Sequence, residues 1–161
     1  MLKTHIRILA VYIGIKKEIK KQIKKIVEEM NNKDIEIISS IKGISKEMAA
    51  EFLSEIGDMR RFADKKKLIG YLGIDPVIKQ SGKYKGEWHI SKRGNKYARR
   101  LGFLMAVNVI KYDGRMKEYY AKLRSRGKRH KESVIAVLHE LAHYLYLMVI
   151  HNKRYDEFIH S

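Results

Sequence analysis

Apolar side chains recur at intervals of three and four over the first thirty residues, which predicts one long helix with a single apolar stripe. The stripe consists of Tyr12, Ile15, Ile19, Ile23, Ile26 and Met30. Lysines fill the opposite face, and Asn31-Asn32 marks the end of the helix. A stripe this long is costly to leave in water, so we expect the helix to self-associate or to pack on another domain. A solvated basic helix face is the alternative.

The next segment, residues 35–58, has the pattern of two short helices joined by a tight turn. Gly43 permits the turn, Ser45 has the side chain of an N-cap, and Gly57 suits a helix end. The spacing fits a helix-hairpin-helix, in which backbone amides at the start of the second helix hold a phosphate. Gly43, Ile44 and Ser45 are therefore candidate nucleic-acid contacts. An ordinary helical hairpin is the alternative.

The remaining pattern is helical, with one interruption. Helices are predicted over 64–72, capped by Asp64, and over 95–112, 115–124 and 132–151. The last helix has a core stripe at Val134, Leu138, Leu141, Leu145 and Met148. Residues 77–90 lack a helical period and contain β-branched and aromatic residues between glycines, which predicts an extended loop or a small β-hairpin. The fold class is all-α, with an N-terminal coiled-coil-like helix over 1–33 and a second domain over 34–161.

The amino-acid composition indicates a polyanionic partner. Of 161 residues, 45% are apolar, which is enough for a core, yet Lys and Arg number 35 against 18 Asp and Glu, a formal charge of +17. Such an excess of positive charge favours binding to a nucleic acid. Cysteine is absent, which excludes disulfides and Cys-ligated zinc. No apolar run is long enough to predict a membrane span, so we expect a cytoplasmic, nucleoid-associated protein with no membrane partner.

Basic and aromatic side chains concentrate between residues 79 and 100, where Glu87 is the single acid. The basic members are Lys79, Lys83, Lys85, Lys92, Arg93, Lys96, Arg99 and Arg100. This composition is typical of a nucleic-acid contact surface, and a solvated basic loop is the alternative. Two serines, Ser81 and Ser91, lie in the same stretch. A serine hydroxyl in this setting has the chemistry to attack phosphorus, with Lys and Arg stabilising the developing charge.

A competing motif is His139-Glu140-Leu141-Ala142-His143, a literal H-E-x-x-H on a predicted helix. Two histidines at i and i+4 suit zinc, with the glutamate as general base. The extended zinc motif fails, however, because Tyr146 and Val149 occupy the positions of its glycine and third histidine. The carboxylates elsewhere lie singly in turns, where capping accounts for them, so we predict no metal site in this chain.

Taken together, these motifs closely resemble one known domain, with the match extending over roughly residues 35–155. The run that carries the likeness is Ile41-Lys42-Gly43-Ile44-Ser45, Ala49, Phe52-Leu53, Ile56-Gly57-Asp58, Arg61-Phe62, Leu72-Gly73-Ile74-Asp75-Pro76, Ser81-Gly82, Ile90-Ser91-Lys92-Arg93-Gly94-Asn95 and Arg99-Arg100-Leu101. It resembles the C-terminal Tnp domain of insertion-sequence transposases related to the Piv DNA invertase, the group that includes the bridge-RNA-guided recombinases.

The resemblance implies a serine nucleophile at Ser81, with Ser91 as a competing candidate assigned to structure or DNA contact. It implies DNA as partner, a guide RNA, homo-oligomers, and an N-terminal RuvC-like domain whose acidic ligands bind magnesium. The 161 residues include no such half. We therefore expect no cofactor in this chain, Mg²⁺ only with the RuvC-like domain, and little strand transfer by this chain alone.

These observations predict the DNA-binding, serine-nucleophile domain of a transposase or site-specific recombinase. A covalent adduct at Ser81 would separate it from a non-catalytic helix-hairpin-helix module that binds nucleic acid. A zinc hydrolase built on residues 139–143 is the third hypothesis, and metal content would test it.

Overall fold

A computed structural model describes residues 1–29, 32–77, 80–81, 84–85 and 89–160. At residues 24, 80, 81, 84 and 85 only the backbone is described. The chain divides into two compact units, Met1–Asn32 and Lys33–Ser161.

The first unit is one helix, α1 (Leu2–Glu29). Its predicted apolar stripe follows one face, and the described members are open to solvent: Tyr12 is 71% exposed and Ile19 is 51% exposed. Near its end, Lys25 and Glu29 form an i,i+4 ion pair with an N–O distance of 3.8 Å. A surface pair of this kind contributes little stability, and the exposed apolar stripe contributes none by burial within this helix.

The second unit is an all-α domain with a small β excursion, as the sequence predicts. Its helices are α2 (Lys33–Ser39), α3 (Lys46–Ile56), α4 (Lys65–Leu72), α5 (Lys96–Tyr112), α6 (Gly114–Ser125), α7 (His130–His151) and α8 (Tyr155–Ile159), with a 3₁₀ turn at Met59–Arg61. Four two-residue strands lie between α4 and α5: β1 (Pro76–Val77), β2 (Gln80–Ser81), β3 (Tyr84–Lys85) and β4 (His89–Ile90).

Side-chain caps explain where the helices begin. Ser45 accepts a hydrogen bond from the Met48 amide at the start of α3, and Asp64 accepts one from the Lys67 amide at the start of α4. Asn95 caps α5 with two such bonds. Each cap satisfies an amide that has no partner within its helix and contributes about 1 kcal/mol. The predicted roles of Ser45 and Asp64 are confirmed.

The core centres on α7, which packs against α5, α4 and α6. All five residues of its predicted stripe are fully buried. The helix is long and apolar enough to cross a membrane by length and composition, but 61% of the relevant window is buried inside the protein. Its apolar character therefore reflects a central place in the core.

The strands pair as two antiparallel ladders between α4 and α5. Pro76 pairs with Ile90 and Val77 with His89, while Gln80 pairs with Lys85 and Ser81 with Tyr84. The pairing register of the second ladder is offset by one residue from that of the first. The β-hairpin alternative for residues 77–90 is thus the correct one for the residues described.

A few boundaries differ from the sequence prediction. The first helix of the segment predicted over 35–58 begins earlier, at Lys33, and ends at Ser39. Helix α7 begins at His130 rather than Glu132, because the Glu132 carboxylate reaches back to accept a hydrogen bond from the Arg129 amide. The 3₁₀ turn and α8 were not predicted, since three to five residues are too short to show a helical period.

Candidate nucleic-acid interface

The turn after α4 and the segment before α5 are joined edge to edge by backbone hydrogen bonds. The Ser91 amide donates to the Asp75 carbonyl at 2.9 Å, and the Lys92 amide donates to the Gly73 carbonyl at 3.0 Å. The Asn95 amide donates to the Tyr71 carbonyl at 2.7 Å. This junction closes the base of the β excursion and holds both ends of it against the helical core.

Glycine is required on both sides of the junction. A Cβ on Gly94 would lie 2.0 Å from the Tyr71 carbonyl oxygen and 2.5 Å from the Gly73 nitrogen. Gly73 itself has a left-handed backbone, with φ of 64°, as a helix C-cap. Lys92 also has a positive φ, 56°, which is uncommon outside glycine and places a charged side chain on a constrained backbone.

Asn95 ties the junction to α3 as well as capping α5. Its Nδ2 donates to Glu55 Oε2 at 3.2 Å and contacts the Tyr71 hydroxyl at 3.3 Å. That hydroxyl donates in turn to the Glu55 carbonyl at 3.0 Å. The start of α5 is therefore held by a polar network, and basic residues on its first two turns occupy defined positions.

Helices α5 and α7 begin on the same side of their crossing. They approach closely at Gly102, where an added Cβ would lie 2.8 Å from Leu138 Cδ1. The first turns of both helices, together with β4, line one concave groove of about 650 Å³. We call this the α5–α7 groove.

The groove has basic walls and an apolar floor. Its basic members come from two separate parts of the sequence: Lys92, Lys96, Arg99, Arg100, Arg129 and Lys131. Its apolar members are Ile90, Phe103, Leu104 and Ile135, and His89 and Glu132 complete the described lining. Sequence analysis singled out the first four basic residues as a contact surface. Arg129 and Lys131 belong to a basic stretch over residues 124–131, and their place in the groove depends on the packing of α7.

Several groove residues have contacts within the protein, and Lys96 Nζ lies 4.9 Å from the centroid of the Tyr97 ring. Arg99 Nη1 donates to the Leu72 carbonyl at 2.9 Å, at the C-terminal end of α4 where a positive charge is favoured. Arg99 therefore anchors the junction as well as lining the groove. Glu132, the single acid in the described lining, accepts a hydrogen bond from the Arg129 amide at 3.3 Å. Lys92, Lys96 and Arg100 are exposed, as are Arg129 and Lys131.

The predicted hairpin contacts do not line this groove. Gly43 has a φ of 100° and packs against the other end of α5, where its Cβ would lie 2.9 Å from the Asn108 carbonyl oxygen. Eight residues of helix, about 12 Å, separate Asn108 from Arg100. Ile44 is buried, and its amide donates to the Ile41 carbonyl. Phosphate binding at Gly43, Ile44 and Ser45 stays a prediction for a second surface.

The two candidate serines differ in their settings. Ser81 lies on β2, paired with Tyr84, and only its backbone is described. The same holds for Lys85 on β3, whereas Lys79, Gly82 and Lys83 lie outside the described residues. Ser91 lies in the junction, where its Oγ is buried and has no hydrogen-bond partner among the residues that the structure describes. Arg93 is exposed beside it but does not line the groove.

Comparison with known proteins matches residues 35–121 to the sequence model described as the Transposase IS116/IS110/IS902 family. The matched segment runs from α2 into α6 and includes the junction, the β excursion and the whole of α5. The chain belongs to this transposase family. The IS116/IS110/IS902 match therefore covers one wall of the α5–α7 groove.

Similar curated proteins come from insertion elements and from a DNA inversion system. The chain is 36% identical over 118 residues to the uncharacterized 42 kDa protein of insertion element IS900 from Mycobacterium paratuberculosis, covering 71% of this chain and 29% of that protein. It is 28% identical over 138 residues to the 44.8 kDa protein of IS116 from Streptomyces clavuligerus, covering 85% and 35%. It is 29% identical over 136 residues to the pilin gene-inverting protein of Moraxella bovis, covering 83% and 42%. This chain thus spans less than half the length of each of these relatives.

Metal ligands are not grouped in the described part of this transposase chain. No set of three or more His, Asp or Glu side chains there is placed to hold a metal ion. Capping is the role predicted for Asp58, Asp64, Asp75 and Asp113. The side chains of Asp58, Asp64 and Asp113 each accept a backbone amide hydrogen bond at a helix start. These residues therefore do not fit a Mg²⁺ site, and within the described ranges no third ligand joins His139 and His143 to bind zinc.

His143 is instead a partly buried histidine of the core helix. Its Nε2 is buried without a hydrogen-bond partner. Burial lowers the pKa of His143, and the positive charge of Lys65 acts in the same direction; Glu140 opposes them and His139 adds to them. The folded protein therefore favours the neutral imidazole.

A pH dependence of stability follows from this lowered pKa. Below the unfolded-state pKa of about 6.5, the unfolded chain takes up a proton that the folded chain resists, so stability falls as pH drops through this window. We expect urea unfolding of His143→Gln to lose part of that slope. The exposed His160→Gln is the matched control and should keep the wild-type slope. An unchanged slope in His143→Gln would contradict the assignment.

Proposed function

We propose that this chain is the DNA-binding, serine-bearing domain of an insertion-sequence transposase, acting on DNA in the cytoplasm. The observation that carries the DNA-binding part is the α5–α7 groove. There the fold brings Arg129 and Lys131 beside the basic start of α5, about thirty positions away in sequence. Membership of the transposase family supports the same function.

The electrostatics of the groove favour phosphates. Basic side chains on the first turns of two helices add to the partial positive charge of each helix N-terminus. Glu132 is the one acid in the described lining, and its carboxylate accepts a hydrogen bond from a backbone amide. The basic set places several exposed positive charges in one groove, so a bound polyanion would relieve their mutual repulsion.

The chemical step is proposed for Ser81, on the strength of the family likeness. Its Oγ would attack the phosphorus of a DNA phosphodiester, forming an Oγ–P bond as a P–O bond to deoxyribose breaks. The serine proton is lost to a base, and the departing sugar oxygen takes up a proton. One phosphodiester is exchanged for a phosphoserine diester, which can later be reversed by a second sugar hydroxyl. Lys79, Lys83 and Lys85 would stabilise the developing charge.

The whole activity also involves partners proposed from the resemblance. A RuvC-like domain would supply the acidic ligands for Mg²⁺, and a guide RNA would select the target. The exposed stripe of α1 is suited to self-association in a homo-oligomer. No step proposed for Ser81 is routed through the metal.

Salt dependence tests the groove. If about six phosphates are neutralised, affinity for duplex DNA should fall about 10³-fold between about 50 and about 200 mM salt. Arg100→Ala and Lys131→Ala should each weaken binding and lower the salt slope by about one unit. Fluorescence anisotropy with a labelled duplex measures both quantities.

Lys111→Ala is the matched control, because Lys111 is exposed at the far end of α5 and does not line the groove. The salt slope of DNA affinity in Lys111→Ala should lie closer to the wild-type slope than that of Arg100→Ala or Lys131→Ala. A flat salt response in the wild-type chain, or equal effects of all three variants, would remove the groove from the proposal.

A further inference from the structure

The floor of the α5–α7 groove has a chemistry that phosphate binding does not require. Leu104 is 45% exposed although it is a large apolar residue, and it lies in a groove with Phe103, Ile135 and Ile90. Phosphates are held by cations and by hydrogen-bond donors, so exposed apolar area adds nothing to a contact with the nucleic-acid backbone alone. Exposed apolar surface inside a basic rim indicates a ligand that is both anionic and apolar.

An unpaired nucleotide has this combination of properties. Its phosphate is anionic, and its base has two apolar faces that pack on aromatic and aliphatic side chains. The groove volume of about 650 Å³ lies within the range of pockets that enclose small organic ligands. In a regular duplex the base faces are covered by stacking, so only a base outside the stack can enter a concave apolar floor.

We propose that the α5–α7 groove binds an unpaired nucleotide, with the base on the floor at Phe103 and Leu104 and the flanking phosphates on Arg100, Arg129 and Lys131. This inference rests on the proposed nucleic-acid binding and specifies its substrate class. The ligand is an unstacked base of single-stranded or bulged nucleic acid, in DNA or in RNA. His89 and Ile90 of β4 line the same groove, so the bound nucleotide would lie at the base of the strand excursion that includes Ser81.

The test compares three duplexes of one sequence: fully paired, with one bulged base, and with an abasic bulge at that position. The abasic bulge keeps the backbone and its charge and removes only the base. We expect the chain to bind the bulged base about tenfold more tightly than the abasic bulge, since one stacked base contributes on this scale. The same three duplexes are also made in RNA. The ratio of bulged-base affinity to abasic affinity should be larger for the kind of nucleic acid, DNA or RNA, that supplies the nucleotide.

Variants separate this inference from the proposed function. Leu104→Ala, at a position that is 45% exposed, should remove most of the preference for the bulged base over the abasic bulge, measured as the ratio of the two affinities. Phe103→Ala should do the same, and circular dichroism would check its folding. The control Tyr112→Ala removes an exposed aromatic at the other end of α5 and should change neither quantity.

The outcomes of these measurements distinguish binding of the base from binding of the phosphates. Equal affinity for the bulged base and the abasic bulge in both DNA and RNA would overturn the base site while leaving phosphate binding in place. Retention of the full preference in Leu104→Ala and Phe103→Ala would also overturn it. Loss of all three affinities in Arg100→Ala and Lys131→Ala supports the proposed function. No effect of those charge changes on any duplex would refute the proposed function itself.

Discussion

Replacing Gly94 with alanine is expected to lower the free energy of unfolding by about 3 kcal/mol or more, the upper range for overpacking. The added Cβ would lie 2.0 Å from the Tyr71 carbonyl oxygen. Backbone atoms on both sides surround it, so no side-chain rotation can make room. The junction would have to open, breaking the hydrogen bonds from the amides of Lys92 and Asn95.

Gly114→Ala is the matched control for this change. A Cβ on Gly114 meets nothing within 4 Å, and the residue begins α6. Alanine there should leave stability unchanged or raise it by about 0.5–1 kcal/mol through helix propensity. Urea unfolding followed at 222 nm measures both variants. If Gly94→Ala and Gly114→Ala unfold at the same urea concentration, the junction is not the tight structural element described above.

Sequence periodicity predicted the helices well because the core is amphipathic at regular spacing. The α7 stripe from Val134 to Met148 is fully buried, and Ser45, Asp64 and Asn95 lie at the starts of their helices. Helix caps and apolar stripes depend on residues close together in the sequence, so they can be predicted without knowledge of the fold. The short α8 escaped prediction because five residues contain barely more than one helical turn.

The candidate site was predictable only in part, because it depends on contacts between distant segments. The basic cluster at residues 92–100 is visible in the sequence, yet its pairing with Arg129 and Lys131 follows from the crossing of α5 and α7 at Gly102. The exposed floor residue Leu104 has the same apolar character as its buried neighbours on α5. Periodicity alone therefore assigns it to the core.

Burial of the Ser91 hydroxyl changes the effect that its removal is expected to have. The family resemblance assigns Ser91 to structure or DNA contact, and either role would make Ser91→Ala weaken stability or binding. The Ser91 Oγ is buried without a partner, and the backbone bond from its amide to Asp75 does not involve the hydroxyl. Removing an unsatisfied buried hydroxyl should leave stability unchanged or slightly improved. A buried hydroxyl is also poorly placed to reach a DNA phosphate, which favours Ser81 as the nucleophile.

Ser81→Ala is expected to reduce recombination by at least about 10³-fold, because removal of a nucleophile eliminates the covalent route. The assay supplies the chain together with the proposed RuvC-like domain and the proposed guide RNA. Duplex affinity and the urea midpoint should stay close to wild type, since a single hydroxyl contributes little to either. A denaturing gel shift of labelled DNA reports the phosphoserine adduct, which the alanine variant should fail to form.

Ser91→Ala is the matched control and should retain both the adduct and recombination. If Ser81→Ala retains recombination while Ser91→Ala loses it at unchanged DNA affinity, the nucleophile is Ser91 and the assignment is wrong. Recombination in both variants would exclude a serine mechanism at either position. Salt-sensitive DNA binding with no adduct in the wild-type assembly would instead favour a non-catalytic nucleic-acid-binding module, because the α5–α7 groove would then account for everything the domain does.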